Sequence, residues 1–195
     1  HSKLSEQCED QILNPAGLGL KDVDADDVDI CYPPIFQSGG EYELKMSAVS
    51  SDKKMHYGVV HISLGARYTQ YCSNVGRTLM IDPTKAMEDT YAAALAAQEA
   101  ALAALVDGAD LAAPYDAAKA ALIAANPGGK GEELAAKMGK TVGTAMGLEL
   151  RESSMMLGPK SRGAPQKVRA GQCYNVQIAL PGLVNEDAKE TSKAR

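Results

Sequence analysis

Apolar and polar positions alternate along this chain with a period that changes three times. Residues 1–13 place Leu4, Cys8 and Ile12 at i, i+4 and i+8, one helical face, and predict the tail of a helix. Asn14-Pro15, Gly17 and Gly19 end it. Asp22, Asp24, Asp26, Asp27 and Asp29 then form an acidic connector that reads as a solvated loop. A calcium loop needs a Gly at its sharp turn and a distal Glu, and neither stands in the right place. Pro33-Pro34 and Gly39-Gly40 make 31–40 an extended segment and a turn. Tyr42, Leu44, Met46 and Ala48 alternate with polar residues, the period of a half-buried strand. Further strands are predicted over 57–64, 67–72 and 75–81, with a turn at Gly65-Ala66. Tight turns between neighbours imply antiparallel pairing.

Asp82-Pro83 then opens a helix, with Tyr91, Leu95, Gln98, Leu102, Leu105 and Val106 on one face and Gly108 at its end. A second helix is predicted over 111–125, stopped by Asn126-Pro127-Gly128-Gly129, and a third over 131–139. Residues 86–125 hold 19 Ala in 40, so these helices form readily and bury little area per residue. Period two returns over 146–152, where Met146, Leu148 and Leu150 alternate with Glu149 and Arg151, continues extended over 154–157, and returns again over 172–180. Lys160, Arg162, Lys167 and Arg169, with Gly163 and Pro165, read as a solvated basic hairpin loop lacking the interleaved aromatics of single-strand nucleic-acid binding. Residues 185–195 read as a loose polar tail. Strands, helices, strands in that order give an α+β class, with helices covering one face of a curved, mainly antiparallel sheet.

Composition narrows the function classes. At 195 residues and 45% apolar, the chain is one ordinary globular domain rather than a disordered segment. Its most apolar stretch, Tyr91 to Val106, carries Gln98 and Glu99, so no membrane span is expected. Net charge is -5, with asymmetry: residues 1–40 hold two Lys against eight acids, -6, and residues 129–195 hold eleven basic against seven acidic, +4. A basic partner therefore fits better than nucleic acid. Cys8, Cys31, Cys72 and Cys173 lack metal spacing and read as reduced thiols, with Cys31, Cys72 and Cys173 expected as buried strand residues. The chain begins at His1 without a signal peptide and reads as a piece of a longer protein. His61, Ser63 and Asp52 come without a nucleophile elbow, and Gly143 and Gly147 without the Lys-Ser/Thr of a phosphate loop.

Three segments, ISLGARYTQYCSNVGRTLMI (62–81), VGTAMGLELRESS (142–154) and AGQCYNVQIALPG (170–182), resemble the pita-bread metallopeptidases, the methionine aminopeptidase and proline peptidase family. HSKLSE (1–6), CYPPIFQSGG (31–40), HYG (56–58) and MGLELRE (146–152) resemble more closely the peptidase-like amino-terminal domain of the large subunit of FACT, a histone chaperone. The resemblance implies a pita-bread domain over 41–184 lacking its last strand, preceded by the helix end and acidic connector of 1–40.

The active peptidases hold two divalent metals with two Asp, one His and two Glu, which make hydroxide available at neutral pH. Carried over by the resemblance, the two Asp positions are Ser63 and Asn74, and the His position is Thr144. The first Glu position is Gln177, or Ala179 or Leu180 in a slipped register, and the final Glu lies past Arg195. No metal, no cofactor and no hydrolysis are expected, because neutral oxygens do not offset two cations. His56 matches one substrate-side His of the family, and Arg151 stands where the other would be. A groove that grips peptide without cutting it would then draw on His56, Arg77, Glu149, Arg151 and Glu152. The plainer readings give His56 to strand-end backbone, His61 to the sheet surface, and Arg77 to an ion pair with Glu149 or Glu152.

The FACT resemblance implies a nuclear, chromatin-associated module that binds core histones, while the smaller HMG-box-type subunit is met through other parts of the full protein. It implies no direct sequence-specific nucleic acid and no membrane. An active metal aminopeptidase or proline peptidase, and a scaffold that docks replication or transcription factors, are the alternatives.

Overall fold

The computed structural model describes residues 1–152, 155–159 and 166–185. The tail of 186–195 and most of the basic loop lie outside the described residues. The chain divides into two compact units, one built on residues 1–83 and 147–150, the other on 84–146 and 151–183.

The first unit is a helix against an antiparallel sheet. Helix α1 (Ser2–Ile12) packs on strand β1 (Val28–Ser38), and the buried Ser5 hydroxyl donates to the Pro34 carbonyl. β1 pairs with β2 (Val59–Tyr68) from Val28 opposite Tyr68 to Ser38 opposite Val60. The register slips on either side of Tyr32, where Pro33 and Pro34 lack the N–H groups a regular ladder requires. On its other side β2 pairs first with β4 (Val75–Met80) and then, at Arg67 and Tyr68, with the two-residue β3 (Tyr71–Cys72). The expected turn at Gly65-Ala66 lies instead inside β2. The chain reverses at Thr69 and Gln70, both left-handed at φ 47° and 71°, a geometry that matches the twist of a hairpin.

The strand expected over 42–48 is absent. The alternation there records which side chains face inward: Ala48 is buried and Met46 packs beside it on Tyr32 and Ile35. The backbone turns, with the Ala48 N–H on the Lys45 carbonyl and the Glu43 N–H on the Gln37 side chain. Side chains satisfy the β1 edge: Ser50 Oγ accepts from the Phe36 N–H at 2.9 Å and donates to the Pro34 carbonyl at 3.1 Å.

The second unit holds α2 (Lys85–Ala104), α3 (Ala113–Ala125), α4 (Gly131–Lys137) and the two-stranded pair β5 (Gly143–Ala145) and β6 (Tyr174–Val176). Thr84 caps α2, its Oγ1 accepting from the Met87 N–H. On α2 the alanine stripe, not the leucines, turns inward. Ala93, Ala97 and Ala101 are buried against Ala118 and Leu122 of α3, while Leu95 and Leu102 are 50% and 44% exposed. Alanines surround α2, so apolar period alone does not choose a face. The small stripe wins because it lets the helices approach closely.

β5 also departs from expectation, lying at 143–145 rather than 146–152. Gly143 sets it, since a Cβ there would fall 2.3 Å from the Asn175 carbonyl. The strand expected over 172–180 is ladder-paired only at Tyr174–Val176. Cys72 is buried as expected, but Cys31 is half-buried and Cys173 exposed.

Candidate interaction site

In the first unit one face of the sheet gathers the polar residues. Directly opposed residues of an antiparallel pair share a face. Ser63 stands opposite Ile35 on β1 and Gly76 on β4, and His61 stands opposite Gln37 and Thr78. Ser63 and His61, two residues apart, therefore share a face. His61 is half-buried rather than a surface residue, and that burial lowers its imidazole pKa from the ordinary value. Arg77, opposite Ile62, belongs to the other face and donates through Nη1 to the Gly76 carbonyl.

Tyr32 joins the two positions that the resemblance assigns to carboxylates. Its hydroxyl lies 2.7 Å from Ser63 Oγ and donates to Asn74 Oδ1. A phenol has one proton. With it committed to the Asn74 oxygen, Ser63 donates to Tyr32. The ring reaches this place because residue 65 is glycine: a Cβ there would lie 3.1 Å from Tyr32 Cε1 and 2.7 Å from the Ser73 carbonyl oxygen. Tyr32 and Ser63 are 9% and 6% exposed, and burial pushes the Tyr32 phenol above its ordinary pKa while the Ser63 hydrogen bond opposes the shift. The phenol is thus neutral near pH 7 and supplies no anionic oxygen.

His56 is exposed, with its N–H on Ser38 Oγ at 2.8 Å, and Glu149 accepts the Gly147 N–H on its backbone carbonyl at 3.0 Å.

In the second unit Thr144 is buried on β5, opposite Asn175 and bridged to Met156. Gln177, one residue past β6, is half-buried and donates its N–H to the Val142 carbonyl at 2.8 Å. Arg151 is exposed with Nη2 on Met156 Sδ, and the Glu152 N–H donates to the Ala145 carbonyl. Tyr32 and Asn175 were not singled out from the sequence. The signal for Tyr32 lay in the Pro-Pro that follows it, which forces the bulge that aims its ring across β2.

A model of metallopeptidase family M24 matches residues 2–192. The chain belongs to this family. Within M24 the curated proteins it resembles include the FACT complex subunit SPT16 of Oryza sativa subsp. japonica, 40% identical over 196 residues, and that of Arabidopsis thaliana, 37% identical over 198 residues. The match takes in 99% of this chain but 18% of the rice protein. Among solved structures, the N-terminal domain of FACT complex subunit SPT16 from Cicer arietinum (chickpea) superposes with a TM-score of 0.88 at 39% identity, covering 96% of this chain and 42% of that one. A prolidase from Thermococcus sibiricus, 22% identical with a TM-score of 0.62 over 76% of this chain and 38% of that one, shares the fold.

The M24 name raises the question of a metal pair, and the residues present do not fit one. The positions that the resemblance assigns to ligands are a serine, an asparagine, a threonine and a glutamine. Ser63 and Asn74 already use their oxygens on Tyr32. Two divalent cations bring a charge of about +4, and burying it without carboxylates carries a desolvation penalty that neutral dipoles do not offset. Among the described residues no three His, Cys, Asp or Glu cluster as a metal site would need.

Proposed function

We propose that this domain binds without cutting: an M24 scaffold that docks core histones as part of a nucleosome-reorganising chaperone in the nucleus, with no peptidase activity. The observation that carries the reading is the Tyr32 hydroxyl bridging Ser63 and Asn74, a neutral hydrogen-bonded trio where hydrolysis would need paired carboxylates. The similarity to FACT complex subunit SPT16 supports the biology.

Surface charge favours a basic partner. Asp22, Asp24, Asp26 and Asp27 are exposed along one short connector and Asp29 at the start of β1, and Asp24 also caps the turn at Ala25 by accepting from the Asp26 N–H. Such attraction falls off over about 8 Å at physiological salt, so it steers a histone surface more than it fixes one.

The test is a pull-down of the purified chain against core histones and, separately, against the smaller HMG-box-type subunit, over a series of salt concentrations. Histone capture that weakens with salt is expected. Capture of the smaller subunit alone turns the reading to a scaffold, and release of amino-terminal residues from peptides overturns it.

A further inference from the structure

The segment that follows β1 folds back on the end of that strand and closes a cavity in the first unit. The cavity measures about 310 Å³, and Phe36, Gln37 and Ser38 of β1 line it together with Glu41, Tyr42 and Glu43. Gly39 and Gly40, both left-handed at φ 77° and 85°, make the reversal. The Glu43 N–H then donates to Gln37 Oε1 at 3.0 Å, and the Tyr42 hydroxyl donates to the Val59 carbonyl at 2.8 Å, so the wall is anchored to both strands.

The lining combines two carboxylates, two aromatic rings and a polar floor. Gln37 and Ser38 are 7% and 6% exposed. Ser38 Oγ is occupied, accepting from the His56 N–H at 2.8 Å. The Gln37 amide is only half used: Oε1 is committed to Glu43, and Nε2 makes no hydrogen bond among the described residues. No fully enclosed side-chain polar atom lacks a partner among those residues, so Nε2 is reached through the cavity that Gln37 lines. A donor held at such a place takes an acceptor from what enters, and a peptide carbonyl supplies one.

The chain's own lysines show what the carboxylates accept. Lys53 Nζ lies 2.5 and 2.6 Å from the two Glu41 oxygens, and Lys45 Nζ lies 3.0 Å from Glu43 Oε1. All four side chains are more than half exposed. Exposed pairs of this kind contribute little and exchange partners readily. An ammonium that enters the cavity meets the same carboxylates together with the Phe36 and Tyr42 rings, which favour both a cation and its methylene stem.

We propose that this cavity takes the lysine side chain of a basic peptide, with its ammonium at Glu41 and Glu43, its stem along Phe36 and Tyr42, and a peptide carbonyl on Gln37 Nε2. Lys53 competes for the same carboxylate. This contact deepens the docking reading, on which its biological partner rests.

The test is an NMR titration of the whole chain with acetyl-Gly-Gly-Lys-Gly-Gly-amide to millimolar concentration, beside the same peptide carrying acetyl-lysine. The Gln37 side-chain amide signal should move with the lysine peptide and stay with the acetylated one, because acetylation removes the charge. Glu41→Gln combined with Glu43→Gln should weaken binding roughly ten-fold or more. Lys53→Met should tighten it about two- to five-fold. Asp24→Asn combined with Asp26→Asn, in the acidic connector, should leave it unchanged. An unmoved Gln37 signal, equal shifts with the acetylated peptide, weaker binding by Lys53→Met, or an equal loss from the connector variant overturns the assignment. The pentapeptide carries no histone surface, so its failure to bind leaves salt-sensitive histone capture standing, and failure of histone capture leaves the titration standing.

Discussion

Replacing Tyr32 by phenylalanine isolates the hydroxyl on which the candidate site turns. The ring and its packing against Ile35 and Ala48 remain, and one oxygen is lost. Ser63, 6% exposed, then has no hydroxyl to receive its proton, and Asn74 loses a donor. An unsatisfied buried group costs about 1–3 kcal/mol. Asn74 is half-buried and recovers part of its loss through water. The sum is about 2 kcal/mol, which lowers Tm by about 4–8 °C in a chain of this size. Urea unfolding should show a lower midpoint at unchanged slope. Alkaline pH supplies a second readout. The folded phenol has its pKa raised, so its contribution is fully present below the unfolded value, about 10, and is lost as pH rises through the folded value. Tyr32→Phe should remove that alkaline loss. A variant within about 0.5 kcal/mol of the parent, the usual range for surface changes, would mean that the hydroxyl does not bridge the two residues.

Gly65→Ala should cost more, about 3 kcal/mol or above, because its methyl would meet the Ser73 backbone oxygen at 2.7 Å; a thermal melt near the parent value would refute the close approach. His61 has a folded pKa lowered by burial, so its contribution is present above the unfolded value of about 6.5 and is lost as pH falls through the folded one. His61→Gln should flatten the stability profile below about pH 6.5, measured by urea midpoints across pH. Changing Thr69-Gln70 to Asn-Gly should raise stability by about 1 kcal/mol, because both residues hold left-handed backbone that suits the new pair; an unchanged midpoint would count against the turn.

The elements with strong periodicity and clear stops were legible. Helix α1, the strands around 59–68 and 75–80, and the three later helices all fall near their expected places. What misled was alternation read as pairing. Residues 42–48 alternate because Met46 and Ala48 face the Tyr32 cluster, yet the segment makes no ladder. Residues 146–152 alternate similarly, while Gly143 draws the β5–β6 pairing earlier. On α2 the Ala-rich composition marked small-residue packing, and the alanines pack against Ala118 and Leu122 of α3. At the positions that the resemblance assigns to metal ligands, 63, 74, 144 and 177, the sequence carries no carboxylate. The Tyr32 hydroxyl was not visible, because its reach depends on a bulge and on a glycine across the strand. His61, expected at the sheet surface, is half-buried because β1 and β4 flank it on both sides.

The most direct measurement is equilibrium dialysis of the chain against excess manganese(II), followed by elemental analysis. Manganese is hard and oxygen-seeking, so it reports on the positions that the resemblance assigns to metal ligands. Manganese at the level of the dialysis buffer is the predicted result. Two equivalents retained per chain after exhaustive dialysis would contradict the claim that this M24 scaffold has no anionic cage.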